Sequence, residues 1–338
     1  MFRKKSLESH HYYDEKIFTE EIEHIFKKEW LWIGRSDQLK NRGDFITADV
    51  IHLPIIVIRD TNNQLRGFHN VCRHRASKVL LRSSGNCKHI VCPYHGWRYN
   101  LKGELSNPSK FFGSDDFDHK IHSLFPIHVQ EKFGLIFINI NKQPKFLDEW
   151  LGPFEQVINN HYESDFIFHN ELKFDVHANW KTYVDNYQEG YHIPNVHPQL
   201  NKDVFWEEYQ LNNTNECSIH SVPEKASSNQ PGSFGWHFPN FIFNTYGRGI
   251  VFQRIEPIKP KWCRVIYNLF RSPDIEYDDF ENKEGKYQLE VSVEDQKLIP
   301  DIQQNLQAGI YTSGPLSTKY ETGVAYFHDL IIHKLNME

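Results

Sequence analysis

The stretch Cys72-Arg73-His74 and, after 17 intervening residues, Cys92-Pro93-Tyr94-His95-Gly96-Trp97-Arg98-Tyr99 sets two short ligand pairs on two loops. Each pair offers one soft thiolate and one imidazole, so together they can build a four-ligand metal site. Pro93 and Gly96 suit tight loops that bring backbone amides near sulfur. On the residues alone two assignments are open. One is a tetrahedral zinc site with two Cys and two His ligands. The other is a binuclear iron–sulfur centre in which two Cys hold one iron and two His the other.

Outward from these loops, residues from about 40 to 145 read as short strands: Phe45-Ile46-Thr47, Ile55 to Ile58, His89 to Val91 and Gly134 to Ile140. Turn chemistry separates them, as at Asn62-Asn63, Ser83-Ser84-Gly85-Asn86 and Lys102-Gly103, which predicts an antiparallel β domain. Before it, residues 17–32 carry Ile22, Ile25, Phe26 and Trp30 at helical spacing, with Thr19 as the expected N-cap. After it the pattern mixes. A helix is expected over 179–192, strands over 241–246, 249–255 and 264–270, and a second helix over about 288–308. A polar stretch at 221–235 reads as a loop.

The bulk composition narrows the function. A chain of 338 residues is longer than one typical domain, and 39% hydrophobic with 14% aromatic residues can fill two cores. A formal net charge of −6 argues against nucleic acid or an anionic membrane as partner. The longest apolar runs, Leu53 to Ile58 and Leu135 to Ile138, are strand-sized, far short of the roughly 18 residues of a membrane span. Met1-Phe2-Arg3-Lys4-Lys5 has no apolar segment behind it, so no secretory signal is expected and a cytoplasmic location follows by default. Five cysteines in a chain this long do not read as a disulfide framework.

A second constellation lies in Asn179-Trp180-Lys181-Thr182-Tyr183-Val184-Asp185-Asn186-Tyr187-Gln188-Glu189-Gly190-Tyr191-His192, then Ile193-Pro194-Asn195-Val196-His197-Pro198. Two His five apart do not share a face of a straight helix. Pro194 disfavours helix through Ile193, so His192 falls at a helix end and His197 on the exit chain, where both can meet one metal. Glu189, three residues before His192, would share its helical face and accept a hydrogen bond from the ring nitrogen not used for a metal.

Both constellations resemble the Rieske-type ring-hydroxylating oxygenases. The two Cys-His pairs, their interval, and the Gly-Trp-x-Tyr tail match the Rieske domain, which implies that Cys72, His74, Cys92 and His95 hold a [2Fe–2S] cluster. Tyr94 stands where respiratory Rieske proteins carry an additional Cys, so a low-potential oxygenase-type cluster is implied. Cys87 has no disulfide partner in this scheme. The run Asp-Asn-Tyr-x-Glu-Gly-Tyr-His-x4-His-Pro resembles the mononuclear-iron motif. It carries over His192 and His197 as ligands of Fe(II), with Asp295 in a late helix as the third; Glu294 and Asp301 are its competitors.

The resemblance further implies an α+β chain. A helical segment over 1–39 would pack on the catalytic domain, followed by an antiparallel β Rieske domain over 40–145. The catalytic domain over 146–338 would have a helix-grip (START-like) architecture with a large antiparallel sheet. Glu189 would bridge to His95 of a partner subunit in a homotrimer, with Asp185 one turn earlier as a tentative helper. O2 would be the cosubstrate, and NAD(P)H would supply electrons through a flavin/iron–sulfur reductase, alone or with a ferredoxin.

Within the family the nearest subgroup is the choline-, carnitine- and betaine-oxidising enzymes, suggested by Glu-Gly-Tyr-His and the ending from Gly314 to His328. An aromatic cage for a quaternary ammonium could draw on Phe205, Trp206, Trp236, Phe238, Phe241, Phe243 and Tyr246, and Arg248 could hold a substrate carboxylate. Hydroxylation of an apolar or aromatic substrate, and a Rieske electron carrier without oxygenase activity, are the alternatives.

Overall fold

The computed structural model describes residues 3–109, 111, 117–162, 165–223 and 233–337; the side chain of Tyr246, and most of the expected loop at 221–235, lie outside the described residues. The chain divides into two compact units, Phe26–Leu147 and Met1–Ile25 with Asp148–Glu338.

The first unit is built on a seven-stranded antiparallel sheet. Its order is Leu31–Arg35, Leu135–Asn139, Pro126–Lys132, Leu65–His69, Leu53–Arg59, Asp44–Val50 and Ser84–Asn86. Ile55-Ile56-Val57-Ile58 is fully buried in the middle of this sheet, as expected of consecutive β-branched residues covered on both faces. A three-stranded sheet, Ile90–Val91, Arg98–Tyr99 and Leu105–Asn107, carries the second Cys-His loop. A core of Phe45, Ile58, Phe68, Trp97, Tyr99 and Leu105 encloses Cys72 and Cys92, and the partly buried Cys87 packs against it.

The expected boundary at 39/40 falls at 25/26 instead. Leu31 pairs with Ile138 and Arg35 with Leu135, so the strand Leu31–Arg35 belongs to the sheet of the first unit. The early helix is correspondingly shorter than expected. It runs Glu15–Glu21 with a π-helical turn to Phe26, and its N-cap is Asp14, which accepts from the amides of Lys16 and Ile17. Thr19 lies inside the helix and donates to the Glu15 carbonyl.

The second unit holds another seven-stranded antiparallel sheet, ordered Ile167–Val176, Trp262–Arg271, Gly249–Lys259, Phe241–Tyr246, Phe234–His237, Cys217–Ser221 and Gln210–Thr214. The helix Trp180–Tyr187 packs on Gly249–Lys259 and Trp262–Arg271 and against the long helix Lys286–Gln307. This is an α+β architecture of one β domain followed by a domain with a large sheet and helices. Among the described residues no helix is long and apolar enough to cross a membrane.

Candidate metal centres

The two Cys-His loops fold by one hydrogen-bond scheme. Cys72 N–H donates to the Ser77 carbonyl at 2.8 Å and Cys92 N–H to the Trp97 carbonyl at 2.8 Å. Ala76 N–H returns to the Cys72 carbonyl and Gly96 N–H to the Cys92 carbonyl, each at 3.0 Å. Both closing residues are left-handed, Ala76 at φ 57° and Gly96 at φ 73°. Glycine adopts that conformation freely, whereas Ala76 is held there by the loop. The twofold repetition buries both thiols and brings the two rings together, with centroids 4.5 Å apart and planes at 75°. His74 Nδ1 and His95 Nδ1 lie 3.1 Å apart, close enough to share one metal ion. The His74 ring stacks on Trp97 at 4.9 Å, and the Tyr94 ring covers His95 at 3.8 Å.

Tyr99, part of the tail of the quoted motif, proves to be a sulfur partner. Its hydroxyl oxygen accepts from Arg73 N–H at 3.1 Å and lies 3.4 Å from Cys72 Sγ, so that its proton can be donated to a thiolate there. Two buried sulfurs, two converging imidazole nitrogens and a hydroxyl aimed at sulfur fit a binuclear iron–sulfur cluster.

In the second unit the expected helix over 179–192 stops at Tyr187, and a one-turn helix, Ile193–Val196, separates His192 from His197. Pro194 sits in its first turn, where a missing N–H costs nothing. The turn brings His192 Nε2 and His197 Nε2 to 3.2 Å. Asp295 Oδ1, from helix Lys286–Gln307, lies 3.0 Å from the second and 3.8 Å from the first.

Carboxylates hold the far nitrogens. Glu189 Oε1 lies 2.6 Å from His192 Nδ1, and Glu294 Oε2 lies 2.8 Å from His197 Nδ1. A neutral imidazole has one proton, and the carboxylate claims it at Nδ1. Both Nε2 lone pairs then face each other and Asp295 Oδ1, which is buried with no hydrogen-bond donor aimed at it. Three electron pairs pointed at one spot repel unless a cation lies between them, so the residues fit a two-His, one-carboxylate metal site.

Glu189 does not share a helical face with His192, because the helix has already ended. It acts within a turn, where Oε2 accepts from the amides of Tyr191 and His192 while Oε1 holds the ring. Asp185 takes no part in that turn. It accepts from Tyr12 Oη at 2.6 Å and from His328 Nε2 at 2.8 Å, and His328 Nδ1 accepts from Leu7 N–H. That grip on both ends of the unit favours a structural role for Asp185. Of the competitors for the third ligand, Glu294 holds His197 from behind and Asp301 is exposed.

A cavity opens beside His192, His197 and Asp295, walled by Tyr183, Tyr187, Tyr209, Tyr267, Phe234 and Asn244. The aromatics expected to form a cage are elsewhere. Trp236, Phe238, Phe241 and Phe243 are core residues, with Phe241 stacked on Phe252 and Trp236 against Phe327. Trp206 instead meets Tyr320 at 5.5 Å, Phe205 is exposed, and Arg248 is paired with Asp274. The cavity tyrosines escaped sequence reading because they come from three separate places: helix Trp180–Tyr187, the turn ending at Tyr209, and strand Trp262–Arg271. On the other side of the Glu189–His192 pair lies an open groove, lined by Asp185, Tyr12, Leu298, Ile302, Glu321 and His328; Glu189 and His192 border both spaces.

Residues 29–110 match the Rieske [2Fe-2S] domain, and residues 163–229 and 216–336 match the ring hydroxylating alpha subunit catalytic domain. The chain is 29% identical to the chloroplastic choline monooxygenase of Beta vulgaris, across 94% of this chain and 74% of that one. It is 26% identical to the glycine betaine monooxygenase oxygenase subunit of Chromohalobacter salexigens, across 98% and 87%. Among solved structures it superposes on the quaternary ammonium Rieske monooxygenase CntA in complex with L-carnitine. That match has TM-score 0.87 and 26% identity and covers 98% of this chain and 95% of that one. With a Rieske domain and the catalytic domain matched in order along one chain, this protein belongs to the ring-hydroxylating oxygenase α-subunit family, the Rieske non-haem iron oxygenases.

Proposed function

We propose that the chain is the oxygenase component of a system that hydroxylates, or oxidatively N-demethylates, a small quaternary amine of the choline, carnitine or betaine kind. One observation carries the reading: the two Nε2 atoms and Asp295 Oδ1 converge at the edge of a cavity whose wall includes Tyr183, Tyr187, Tyr209 and Tyr267 beside aliphatic and amide side chains. Cys72, His74, Cys92 and His95 would hold the [2Fe–2S] cluster, and His192, His197 and Asp295 the mononuclear Fe(II). When bound, the two centres supply single-electron transfer and activation of O2 as cosubstrate.

The chain's own residues supply the rest. Electron-rich rings of Tyr183, Tyr187, Tyr209 and Tyr267 surround a space suited to a trimethylammonium group, where cation–π attraction is worth about 0.5–2 kcal/mol per well-placed ring. Burial lowers His220 to about 3, so it stays neutral as the hydrogen-bond partner of the Tyr209 hydroxyl. Hydroxylation of an N-methyl carbon consumes O2, two electrons and two protons and yields water and a carbinolamine; loss of formaldehyde then completes demethylation.

Glu189 orients His192 and, in this reading, also receives His95 of the partner subunit in a homotrimer. The groove supports that role, since Glu189 and His192, with Asn186, line both it and the cavity. NAD(P)H would feed electrons through a flavin/iron–sulfur reductase, alone or with a ferredoxin.

Iron analysis is expected to find three irons per chain, whereas two would leave only an electron carrier. With a reductase present, NAD(P)H and O2 consumption should depend on quaternary amines in a panel of choline, betaines, carnitine and arenes. Turnover coupled to arenes alone would reassign the substrate to an aromatic one.

A further inference from the structure

One helix holds the His197 ring at both ends. Glu294 and Asp295 are consecutive residues of helix Lys286–Gln307, so their side chains leave its axis about 100° apart. Glu294 Oε2 reaches Nδ1 at 2.8 Å and Asp295 Oδ1 faces Nε2 at 3.0 Å. The ring between them is nearly fully buried, at 2% exposure, while the Glu294 side chain keeps 29%. An exposed helix acid has no reason to turn inward and meet a buried imidazole at hydrogen-bond distance. Entering water would be the lower-energy choice unless the contact itself is favourable.

His192 is held differently. Its carboxylate, Glu189, is local, three residues away, and borders the outer groove. The partner of His197 lies 97 residues away in sequence, next to the third donor of the site. Any shift of the long helix therefore moves the Asp295 carboxylate and the His197 ring together.

We propose that Glu294 is a positioning residue: it fixes His197 as the Nδ1–H tautomer, aims Nε2 at the metal, and through its charge strengthens that nitrogen as an electron donor. The inference rests on His192, His197 and Asp295 being the metal ligands. Carboxylates behind ligating imidazoles act this way in general, and their loss typically weakens metal binding about 10–100-fold.

The test uses the full-length protein with its cluster loaded, as wild type, Glu294→Ala, Glu294→Gln and, as control, Asp301→Ala. Fe(II) and Co(II) affinities are measured anaerobically, and the nitric oxide adduct of the Fe(II) protein is examined by electron paramagnetic resonance. The visible spectrum of the cluster and the circular dichroism serve as the fold check. Glu294→Ala is expected to bind Fe(II) about 10–100-fold more weakly. Glu294→Gln keeps an oxygen that can accept from Nδ1–H, so its affinity should stay near wild type. The lost charge should nevertheless raise the Fe(III)/Fe(II) potential and change the nitrosyl spectrum. Asp301→Ala should match wild type throughout.

Wild-type affinity and an unchanged nitrosyl spectrum in Glu294→Ala would overturn the proposal. So would a Glu294→Gln protein identical to wild type in potential and spectrum, the decisive comparison if the alanine variant fails to fold. A wild-type protein that binds neither ion would instead overturn the ligand assignment on which the inference stands.

Discussion

At the scale of single residues, both metal centres owe their shape to groups that are not ligands. Tyr99 directs its hydroxyl at Cys72 Sγ, and a hydrogen bond to sulfur favours the more negative, reduced cluster. Tyr99→Phe is therefore expected to lower the cluster potential by on the order of 50 mV, read in a redox titration followed by electron paramagnetic resonance. An unchanged potential would mean the hydroxyl does not donate to sulfur. Glu189 and Asp185 separate at this scale too. Glu189→Gln should load both metals yet slow cluster-to-iron transfer in a single turnover. Asp185→Asn should leave that rate near wild type, because Asp185 is engaged with Tyr12 and His328 rather than with a ligand. Equal slowing in both variants would return Asp185 to the electron path. The Cys-His and His-x4-His candidates were legible because their members are close in sequence, whereas Asp295 was reached through resemblance; Tyr99 was visible only as part of a motif, since its aim depends on how the loop closes.

At the scale of elements, the helix Trp180–Tyr187 is anchored from the N-terminal segment. Lys181 and Glu21 form a fully buried ion pair, and Glu21 also accepts from Trp180 Nε1 at 2.8 Å. Burial pushes the Glu21 carboxyl up and the Lys181 ammonium down, so each charge depends on the other. Glu21→Ala would strand a buried ammonium and should destabilise the protein by about 3–5 kcal/mol, measured by chemical denaturation followed by circular dichroism. Replacing both partners with apolar residues of similar volume should cost much less; a double variant as unstable as the single one would contradict that account. The sequence showed the helix but not its end. Helical spacing of Tyr187 and Tyr191 continues past Gln188, whose N–H closes the helix on the Val184 and Asp185 carbonyls, and periodicity does not register the turn in which Glu189 accepts from the amides of Tyr191 and His192.

At the scale of the whole molecule, the proposed electron flow between chains makes a prediction that single-chain variants cannot. A Cys92→Ala chain lacks a cluster ligand and a His192→Ala chain lacks an iron ligand, so each alone should be inactive. Co-assembled, they should recover part of the wild-type turnover if the cluster of one chain serves the iron of another. Failure of mixed assemblies to turn over would confine transfer to a single chain. Sedimentation of the wild-type protein tests the homotrimer on which this rests.

The sequence alone offered the candidate donors Cys-x-His, Cys-x-x-His and His-x4-His, because residue types at short spacing are visible without a fold; the choice of an iron–sulfur cluster over zinc, and Asp295 as third donor, came through the family resemblance. The sequence by itself also determined the α+β order of a β domain before a mixed one, through hydrophobic period. Only the tertiary structure decided what long-range contact controls. The strand Leu31–Arg35 left its expected helical segment because its strand partners, Leu135 to Ile138, lie far ahead in the sequence. The cavity is walled by Tyr183, Tyr187, Tyr209 and Tyr267, whereas the aromatic run at 236–243 fills the core. Glu294 turned from a rival ligand into the group behind His197. In each case the deciding energy comes from a neighbour distant in sequence, and local spacing carries no record of it.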